Sequence, residues 1–573
     1  MAELPVIVQS DHTILLTVDN PFYEQARDAL AGFAELLKSP EHMHTYQLSA
    51  LSLWNAYAAG LEADDIIAAL TQWSQYPLPG TVIQFVRDQR GRFGRLRLLA
   101  AQDGDGLWLT SDDALALTQI SRTKAVQPFL AEPLHPGYRV RPEFRGLLKQ
   151  ALAKVGWPVD DVAGYEPGAP LAVNLVDTLP DGQPFQMRHY QTSAVHAFWG
   201  AGRIDRGNGV VVLPCGAGKT IVGLGAMQLA QTHVLILTTS TAALHQWQRE
   251  ILEKTTLTRD QIGEYSASVK QIRPVTLTTY QMITHRTQNT FPHFESLDQH
   301  PWGLIIYDEV HLLPAPMFRL TASLQARRRL GLTATLIRED GRADDVFALI
   351  GPKRFDLPWK VLEQEGWIAT ARCREIRVQL PPDLRSAYAV GEDTERIRIG
   401  AENPAKIAVV EELLEHHEKD HVLIIGQYIH QLESMAKHFQ APLITGKTSN
   451  QERERLYQEF RLGHIPVLIV SKVGNFAIDL PDANVAIQIS GTFGSRQEEA
   501  QRLGRILRPK RDGTTATFYS IVSEDTKEQD FAQKRQLFLC EQGYRYEIAH
   551  ALENGEPRQV LAPVIPFPQG SSS

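Results

Sequence analysis

The stretch that decides the fold runs from Val210 to Thr220 and has the sequence VVVLPCGAGKT. It joins a short apolar run, VVVLP, to a glycine-containing loop, and the residues that follow, IVGLGAMQLA (221–230), have helical character. A strand, a glycine loop and a helix in this order are the context of a phosphate-binding loop. The eight-residue form of that loop has glycine at the position of Leu213, so the sequence departs from that form at one position.

Each residue type in this loop has a physical reason to be there. Gly216 and Gly218 let backbone N–H groups approach a phosphate closely, and the following helix presents its positive end to the anion. We expect Lys219 to reach the β- and γ-phosphates and the Thr220 hydroxyl to ligate Mg²⁺. The other loop residues assigned to nucleotide binding are Pro214, Cys215 and Ala217.

A second apolar run ends in two acidic residues. GLIIY (303–307) is followed by Asp308, Glu309, Val310 and His311. In a site for nucleotide hydrolysis, Asp308 would hold Mg²⁺ through water and Glu309 would polarise the attacking water. The pair follows the glycine loop in the sequence, as the second half of such a site does.

A basic segment far along the chain offers a charge stabiliser. QRLGRILR (501–508) has the form Q-x-x-G-R-x-x-R, and Arg505 and Arg508 would be neighbours on a helix. Arginine is suited to the charge that develops on a γ-phosphate in the transition state. We therefore predict that Arg505 and Arg508 reach the nucleotide from a second domain.

From residue 186 onward, short apolar runs alternate with helical stretches, which is typical of parallel sheets covered by helices. There are ten such runs, too many for one compact domain, so we expect two α/β domains of about five strands each. The runs are VVVLP, HVLILTTS, VTLTTY, GLIIYDE, RRLGLTAT, HVLIIGQY, PLITG, VLIVSK, VAIQISG and ATFYSIV.

Composition limits the class of protein. The chain has 573 residues, of which 43% are apolar and 22% charged, and a net charge of −8. These values exclude a mainly disordered chain, a coiled coil and a wholly basic nucleic-acid coat protein, but they do not exclude a local basic groove. Three cysteines are too few and too far apart for a zinc cluster or a disulfide framework. We expect no secretory signal and no membrane span, and a reducing cytoplasm fits the cysteines.

The first 100 residues are predicted to form a small α/β module. Two strands flank a turn at Ser10-Asp11, a helix spans 21–38, and two helices follow an N-cap at Ser49 with Gly60 between them. Residues 82–97 carry five arginines against one acid. Helices followed by a basic helix and a strand suggest a winged-helix-like arrangement that contacts a phosphate backbone. The alternative interpretation is a solvated basic face.

Together the motifs resemble those of a superfamily 2 helicase. GKT (218–220), DEVH (308–311), TAT (333–335) and QRLGRILR (501–508) occur in that family's order. Directly after TAT, the triplet Arg338-Glu339-Asp340 resembles the RED motif of the XPB DNA-repair helicases, in their bacterial branch. The resemblance covers about residues 186–550, and the N-terminal part is similar, with less specific features, to the extra domain of bacterial XPB.

The resemblance implies a fold class and further site residues. The fold is α/β, with two tandem RecA-like parallel-sheet domains behind a smaller α/β N-terminal region. Cofactor binding is implied for Arg188, Gln191, Gly474 and Asp479, and Gln501 joins the catalytic residues and couples to His311. The residues implied in nucleic-acid contact or in coupling hydrolysis to movement are Trp247, Thr279, Tyr280, His311, Thr333, Ala334, Thr335, Arg338, Glu339 and Asp340. Trp247 and Tyr280 are the two rings kept as candidates for base stacking.

The domain boundaries follow from composition and the resemblance. We expect an XPB-type accessory domain (1–125) and a connecting region associated with damage recognition (126–185). Two helicase domains (186–356 and 357–555) and a disordered tail (556–573) follow, and the second helicase domain carries a thumb-like insertion near 381–402.

The predicted function is an ATP-dependent 3′–5′ DNA helicase in DNA repair, with ATP and Mg²⁺ as cofactors. Expected partners are single-stranded or forked DNA and a nuclease or repair complex, with no membrane, for a monomer or weak oligomer in the cytoplasm at the nucleoid. Three alternatives stay open: a duplex DNA translocase without strand separation, an RNA helicase, and a nucleic-acid-binding scaffold switched by ATP.

Overall fold

The structure is a computed structural model that describes residues 3–39, 42–101, 106–163, 168–202, 207–214, 216–287, 290–313, 326–334, 343–367, 371–471, 483–491, 516–541, 546–553 and 556–557. The chain forms two compact units. The first unit comprises Met1–Leu37 and His42–Trp359, and the second comprises Lys38–Glu41 and Lys360–Ser573.

The first unit begins with a four-stranded sheet in the order β1-β2-β4-β3 and four helices. The elements are β1 (Val6–Val8), β2 (Thr13–Thr17), α1 (Tyr23–Ala31), β3 (Glu35–Lys38), β4 (Met43–Gln47), α2 (Ala50–Ala59), α3 (Ala63–Trp73) and α4 (Gly80–Arg92). The Ser49 side chain caps α2, and Gly60 ends it in the left-handed region, as predicted. The helix predicted over 21–38 is wrong in its last part, because residues 35–38 pair as a strand. Leu36 and Leu37 fit either period, and tertiary pairing decides.

A second sheet of five strands follows, in the order β7-β8-β6-β5-β9. Its elements are β5 (Leu96–Ala100), β6 (Leu107–Ser111), α5 (Ala114–Ser121), β7 (Pro133–Leu134), β8 (Gly137–Val140), α6 (Arg145–Lys154) and β9 (Val159–Asp161). Buried leucines and valines from this sheet and from α6 form one core cluster. The predicted division between residues 125 and 126 falls inside this sheet, since β5 and β6 precede it and β7 to β9 follow it.

The basic helix α4 makes several contacts within the first unit. Arg90 forms a bidentate pair with Glu62 at 2.7 and 3.0 Å, and the Arg92 guanidinium lies over the Trp157 ring at 5.3 Å. Strand β5 follows α4 as expected, but it belongs to the five-stranded sheet. These local pairs account for part of the basic cluster, and the nucleic-acid contact of α4 stays a prediction.

The first unit ends with a seven-stranded sheet in the order β12-β13-β11-β14-β15-β10-β16, in which every paired strand is parallel. The helices and strands of this part are α7 (His189–Trp199), β10 (Asn208–Val212), α8 (Lys219–Ala230), β11 (Val234–Thr238), α9 (Thr241–Lys254), β12 (Ile262–Tyr265), β13 (Val275–Thr279), α10 (Tyr280–Thr284), α11 (Pro292–Asp298), β14 (Leu304–Asp308), β15 (Arg328–Thr333), α12 (Ala343–Leu349) and β16 (Lys353–Asp356). Helix α13 (Trp359–Gln364) begins at the last residue of the first unit and continues in the second.

The second unit contains another parallel seven-stranded sheet, in the order β19-β20-β18-β21-β22-β17-β23. Its elements are β17 (Ala371–Val378), α14 (Pro382–Val390), α15 (Asp393–Ala401), α16 (Lys406–His416), β18 (Val422–Gly426), α17 (Ile429–His438), β19 (Leu443–Ile444), α18 (Asn450–Arg461), β20 (Val467–Ser471), β21 (Val485–Gln488), β22 (Ala516–Ser523), α19 (Lys527–Glu541), β23 (Tyr546–His550), β24 (Leu552–Glu553) and β25 (Glu556–Pro557). The predicted insertion near 381–402 coincides with the helix pair α14 and α15, whose role stays a prediction.

The predicted fold class is confirmed. All ten apolar runs form strands of the two parallel sheets, and a smaller α/β region precedes them. Four further strands, β12, β16, β17 and β23, were not predicted, and they raise each sheet from five strands to seven. These strands carry charged or polar residues, so no continuous apolar run marks them.

A buried ion pair anchors the core of the second unit. The Lys406 ammonium, which is fully buried, donates to the Glu528 carboxylate at 2.7 and 2.9 Å and to the Ile489 carbonyl at 2.7 Å. Removing one partner of such a pair leaves a buried charge uncompensated, which destabilises a fold by about 3–5 kcal/mol. In the described part of the chain, no helix combines the length and apolarity needed to span a bilayer.

The burial of His44 predicts a pH-dependent stability of the N-terminal region. Burial, with a smaller contribution from Arg27, lowers the pKa of His44 to about 4. Because the unfolded chain binds this proton at a pKa near 6.5, acid favours unfolding, and stability falls as the pH drops from about 6.5 towards 4. The full effect is at most about 3 kcal/mol. When the pH is lowered from about 6.5 towards 4, we expect the midpoint temperature of the first thermal unfolding transition to decrease less in His44→Gln than in the wild type.

The control is His42→Gln, because His42 lies just before the same strand, is exposed, and can be replaced without disturbing the core. Its pH dependence should follow that of the wild type. Parallel curves for His44→Gln and the wild type would contradict the prediction.

Candidate active site

The predicted nucleotide site lies at the carboxyl edge of the first seven-stranded sheet. Strands β14, β15 and β10 are neighbours and parallel, so their carboxyl ends meet at one edge. Their register places Val212 beside Thr333, and Asp308 beside Leu332. The glycine loop, the acid pair and the TAT segment therefore converge although more than a hundred residues separate the first from the last.

The glycine loop is held by α7. Gly218 has φ +80° and precedes α8, which begins at Lys219 with Thr220 in its first turn. A Cβ at position 218 would lie 2.5 Å from Nε2 of Gln191, so this position needs glycine both for its backbone angle and for space. Gln191 donates from Nε2 to the Ala217 carbonyl at 2.9 Å and accepts from the Arg188 N–H at 2.9 Å.

Tyr190 is a site residue that sequence reasoning missed. Its hydroxyl donates to the Ala217 carbonyl at 2.9 Å, the same oxygen that Gln191 contacts, and it accepts from Nη1 of Arg188 at 3.0 Å. The signal was its position between two residues that were predicted, Arg188 and Gln191. Gln191 and Tyr190 thus hold the loop through the Ala217 carbonyl, and Arg188 contacts both of these residues.

The acid pair contacts the loop lysine directly. The Lys219 ammonium lies 2.7 Å from Oε1 of Glu309. Glu309 has φ +49° and ψ +55°, a left-handed conformation that costs a non-glycine residue about 1–3 kcal/mol and clusters at active sites. The strain is therefore located at the residue expected to activate water.

A second contact joins the acid pair to the end of β15. Nδ1 of His311 lies 2.5 Å from the Thr333 hydroxyl, and the same nitrogen lies 3.4 Å from Oε2 of Glu309. His311 and Thr333 are buried, as is Ala334. The structure thus brings together three of the residues that the resemblance implies in coupling.

The two carboxyl groups have opposite pKa shifts. Burial, reinforced by the charge of Glu309, raises the pKa of Asp308 to about 6. Burial alone would also raise the pKa of Glu309, but Lys219 and His311 outweigh it and hold that pKa below its usual value. Glu309 is therefore ionised at neutral pH, and Asp308 is the carboxyl group that gains most from a nearby cation.

The donor set fits magnesium. Two adjacent carboxyl groups at a buried edge repel each other, and a divalent cation relieves that repulsion. Mg²⁺ is usually held by one or two carboxylates, waters and substrate phosphates rather than by a full protein cage. The described residues contain no group of three or more His, Cys, Asp and Glu that could hold a metal by itself.

Trp247 and Tyr280 lie in the core rather than on a surface. They are 2% and 3% exposed. The Trp247 indole donates to Oδ2 of Asp308 at 3.0 Å, and the Tyr280 hydroxyl donates to the Asp308 carbonyl at 2.8 Å. A base-stacking ring needs an exposed face, so the expectation that these rings stack on bases is corrected. Thr279 is the N-cap of α10.

Pro214 and Gly216 also belong to the described part of the loop. Pro214 follows β10, and Gly216 has φ +82°, a backbone angle that favours glycine. Ten predicted site residues lie outside the described residues: Cys215, Thr335, Arg338, Glu339, Asp340, Gly474, Asp479, Gln501, Arg505 and Arg508. Their assignments stay predictions.

Comparison with known proteins decides the family. The chain is 52% identical over 560 residues to a protein of Kineococcus radiotolerans named DNA 3′-5′ helicase XPB, covering 97% of this chain and 99% of that one. The chain belongs to the XPB helicase family. A Mycobacterium tuberculosis protein of the same name is 50% identical over 96% of this chain and 98% of its own length. The resemblance inferred from the motifs is confirmed.

Three family models and a eukaryotic relative match further parts of the chain. Residues 362–562 match the model of the ERCC3/RAD25/XPB C-terminal helicase, residues 184–338 that of the type III restriction enzyme res subunit, and residues 6–135 that of a helicase conserved C-terminal domain. The XPB/SSL2 helicase/translocase subunit of general transcription and DNA repair factor IIH in Saccharomyces cerevisiae is 32% identical over 96% of this chain and 72% of its own length.

The support given by Tyr190 predicts weaker nucleotide binding in Tyr190→Phe. This change removes one hydrogen bond to the loop carbonyl, worth about 1 kcal/mol, so affinity should fall roughly fivefold. Binding of a fluorescent ATP analogue, measured by anisotropy, checks the result. Tyr265→Phe is the control, since it loses a comparable hydroxyl contact, to His293 at 3.1 Å, away from the loop. Equal affinities in all three proteins would contradict the prediction.

Proposed function

We propose that this XPB-family chain is an ATP-dependent DNA helicase that moves 3′ to 5′ along DNA and acts in DNA repair. The near-complete alignment with two bacterial proteins named DNA 3′-5′ helicase XPB supports the activity and the polarity. The observation that carries the hydrolytic part is the 2.7 Å contact between Lys219 and Glu309, beside Asp308, at the carboxyl edge of the sheet.

The residues divide the chemistry among them. Lys219 and the backbone of the glycine loop bind the phosphates, and Thr220 with Asp308 would hold Mg²⁺, which neutralises phosphate charge when bound. Beside Lys219 and His311 the pKa of Glu309 lies below its usual value, so the carboxyl group is ionised before the nucleotide binds. Once Lys219 has moved to the phosphates, the Glu309 carboxylate accepts a proton from the attacking water. Arg505 and Arg508 supply positive charge for the transition state.

The contact between Lys219 and Glu309 also sets the resting state. While the lysine pairs with Glu309, the carboxylate is not available to orient water. A phosphate that draws Lys219 towards itself releases Glu309 for catalysis. The pair therefore keeps both side chains from their catalytic roles until a triphosphate fills the loop.

The buried contact between His311 and Thr333 supports the coupling role. His311 contacts both Glu309 and Thr333 in the interior. A movement of the Glu309 side chain would therefore be transmitted directly to the end of β15. We propose that Thr333 and Ala334, with Thr335 and the RED triplet beyond them, carry this change to the part of the chain that contacts DNA. Gln501 is proposed to meet His311, and Gly474 and Asp479 to meet the nucleotide.

A duplex DNA translocase is the second candidate. The yeast relative is named a helicase/translocase subunit, so one motor of this family carries both descriptions. We further propose that the chain works in the cytoplasm at the nucleoid, as a monomer or weak oligomer. A nuclease or a repair complex is its proposed partner.

Steady-state ATPase activity tests the proposal. We expect strong stimulation by single-stranded or forked DNA, little by RNA, and loss of turnover in Glu309→Gln, which removes the base but keeps the shape of the side chain. A strand-displacement assay then separates the helicase from the translocase. Turnover without any dependence on nucleic acid would contradict the motor assignment, and undiminished turnover in Glu309→Gln would contradict the role of Glu309.

Lys219→Ala separates nucleotide chemistry from DNA binding. Loss of the phosphate-binding charge should reduce hydrolysis by at least about 100-fold. Affinity for a labelled DNA fork without nucleotide should be unchanged, because Lys219 lies at the sheet edge against Glu309 and is only 12% exposed. Loss of DNA affinity in this variant would show that the two functions are not separate.

A further inference from the structure

Asp308 is held by two aromatic side chains from different parts of the first unit. The Trp247 indole, on α9, donates to one carboxylate oxygen at 3.0 Å. The hydroxyl of Tyr280, the first residue of α10, donates to the main-chain oxygen at 2.8 Å. One donor fixes the carboxylate, and the other fixes the peptide group that carries it.

Trp247 is built into the packing between α8 and α9. It lies on the same face of α9 as Leu244 and Ile251, which are both fully buried. Gly223 on α8 makes room for the ring, since a Cβ there would lie 2.4 Å from the indole Cη2. Because close-packed interiors leave a ring no free space to rotate, the direction of its N–H group is set by the two helices.

Tyr280 is placed with similar definition. The Thr279 hydroxyl accepts the Met282 N–H at 3.2 Å, which caps α10 at the carboxyl end of β13. Tyr280 follows this cap and is buried, so the position of its ring is fixed, and its hydroxyl points towards the main-chain oxygen of Asp308. Two independent elements thus converge on one residue.

This arrangement has a chemical consequence for the carboxylate. A carboxylate offers about four lone-pair sites on its two oxygens, so one indole donor selects an orientation and leaves acceptor capacity for a cation. Donors of this kind orient metal-binding carboxylates in other proteins, and their loss weakens metal binding. Phenylalanine at position 280 would keep the ring and remove only the hydroxyl, whereas phenylalanine at position 247 would keep an aromatic ring but remove the N–H donor together with part of the indole.

We propose that Trp247 and Tyr280 are positioning residues that orient Asp308 for magnesium-dependent ATP hydrolysis. This inference rests on the function proposed above, because it presupposes that Asp308 meets the cation. It gives the two rings a role at the metal site instead of the base stacking that their burial prevents.

Four full-length single variants test the inference. Trp247→Phe and Tyr280→Phe remove the two donors. Trp302→Phe and Tyr57→Phe are matched controls, because each of these buried rings also donates to a main-chain carbonyl, at 2.6 and 2.7 Å, but does not contact Asp308.

Two quantities are measured for each protein: affinity for a fluorescent ADP analogue in EDTA, and the magnesium concentration that gives half-maximal ATPase activity. We expect Trp247→Phe to raise the half-saturating magnesium concentration roughly 10-fold and Tyr280→Phe to raise it by a smaller factor. Nucleotide affinity in EDTA should be unchanged in both. The two controls should match the wild type in both quantities.

An unchanged magnesium requirement in both ring variants overturns the inference. Loss of nucleotide binding in EDTA by both, with the controls intact, overturns it too, since that result marks a general packing role. If Trp247→Phe does not fold, Tyr280→Phe decides, because it removes a single oxygen. A wild-type chain without magnesium-dependent ATPase activity would instead contradict the proposed function.

Discussion

The ion pair between Lys219 and Glu309 joins two segments that are 90 positions apart in the sequence. It passes over the end of β15, since β15 lies between β14 and β10 in the sheet. The glycine loop, the acid pair and the Thr333 segment can meet only if these three strands are parallel and end at one edge. The site therefore depends on the strand order of this sheet, because that order brings the three segments to one edge.

Ten strands of the two parallel sheets could be predicted from the sequence, whereas β12, β16, β17 and β23 could not. Strands such as β11 and β18 are buried on both faces and consist of apolar residues, so they stand out as continuous runs. Strand β17 has the sequence ARCREIRV, and two of its charged residues have partners far along the chain: Arg374 pairs with Glu547, and Glu375 accepts from Gln536. No local pattern marks such a strand, because its stability comes from residues far along the chain.

The site shows a similar division. The residues proposed to touch phosphate or water could be predicted, since chemistry restricts their type and spacing. The residues that hold them could not: Tyr190 has no motif of its own, and the sequence leaves Trp247 as a candidate for base stacking. Sequence alone does not distinguish a ring beneath a helix from one that faces solvent, and that distinction decides whether Trp247 meets a base or a carboxylate.

The N-terminal region is joined to the motor sheet of the same unit by specific contacts. Gln150 donates to the Asp345 carboxylate at 2.9 Å, and the Lys353 N–H donates to the Asn55 side chain at 2.8 Å. The accessory helices thus rest on α12 and β16, at the margin of the sheet whose other strands carry the nucleotide site. A molecule bound to the accessory region would act on the sheet through these contacts rather than through a loose tether.

The left-handed backbone of Glu309 lowers the stability of the fold at a residue that is proposed to activate water. At φ +49°, glycine or asparagine would relieve strain that glutamate maintains, and a neutral side chain at Asp308 would avoid burying a second charge beside it. Laboratory selection of this chain for heat resistance alone would therefore favour replacements at its own reaction centre. Heat resistance and turnover therefore place opposite demands on these two positions.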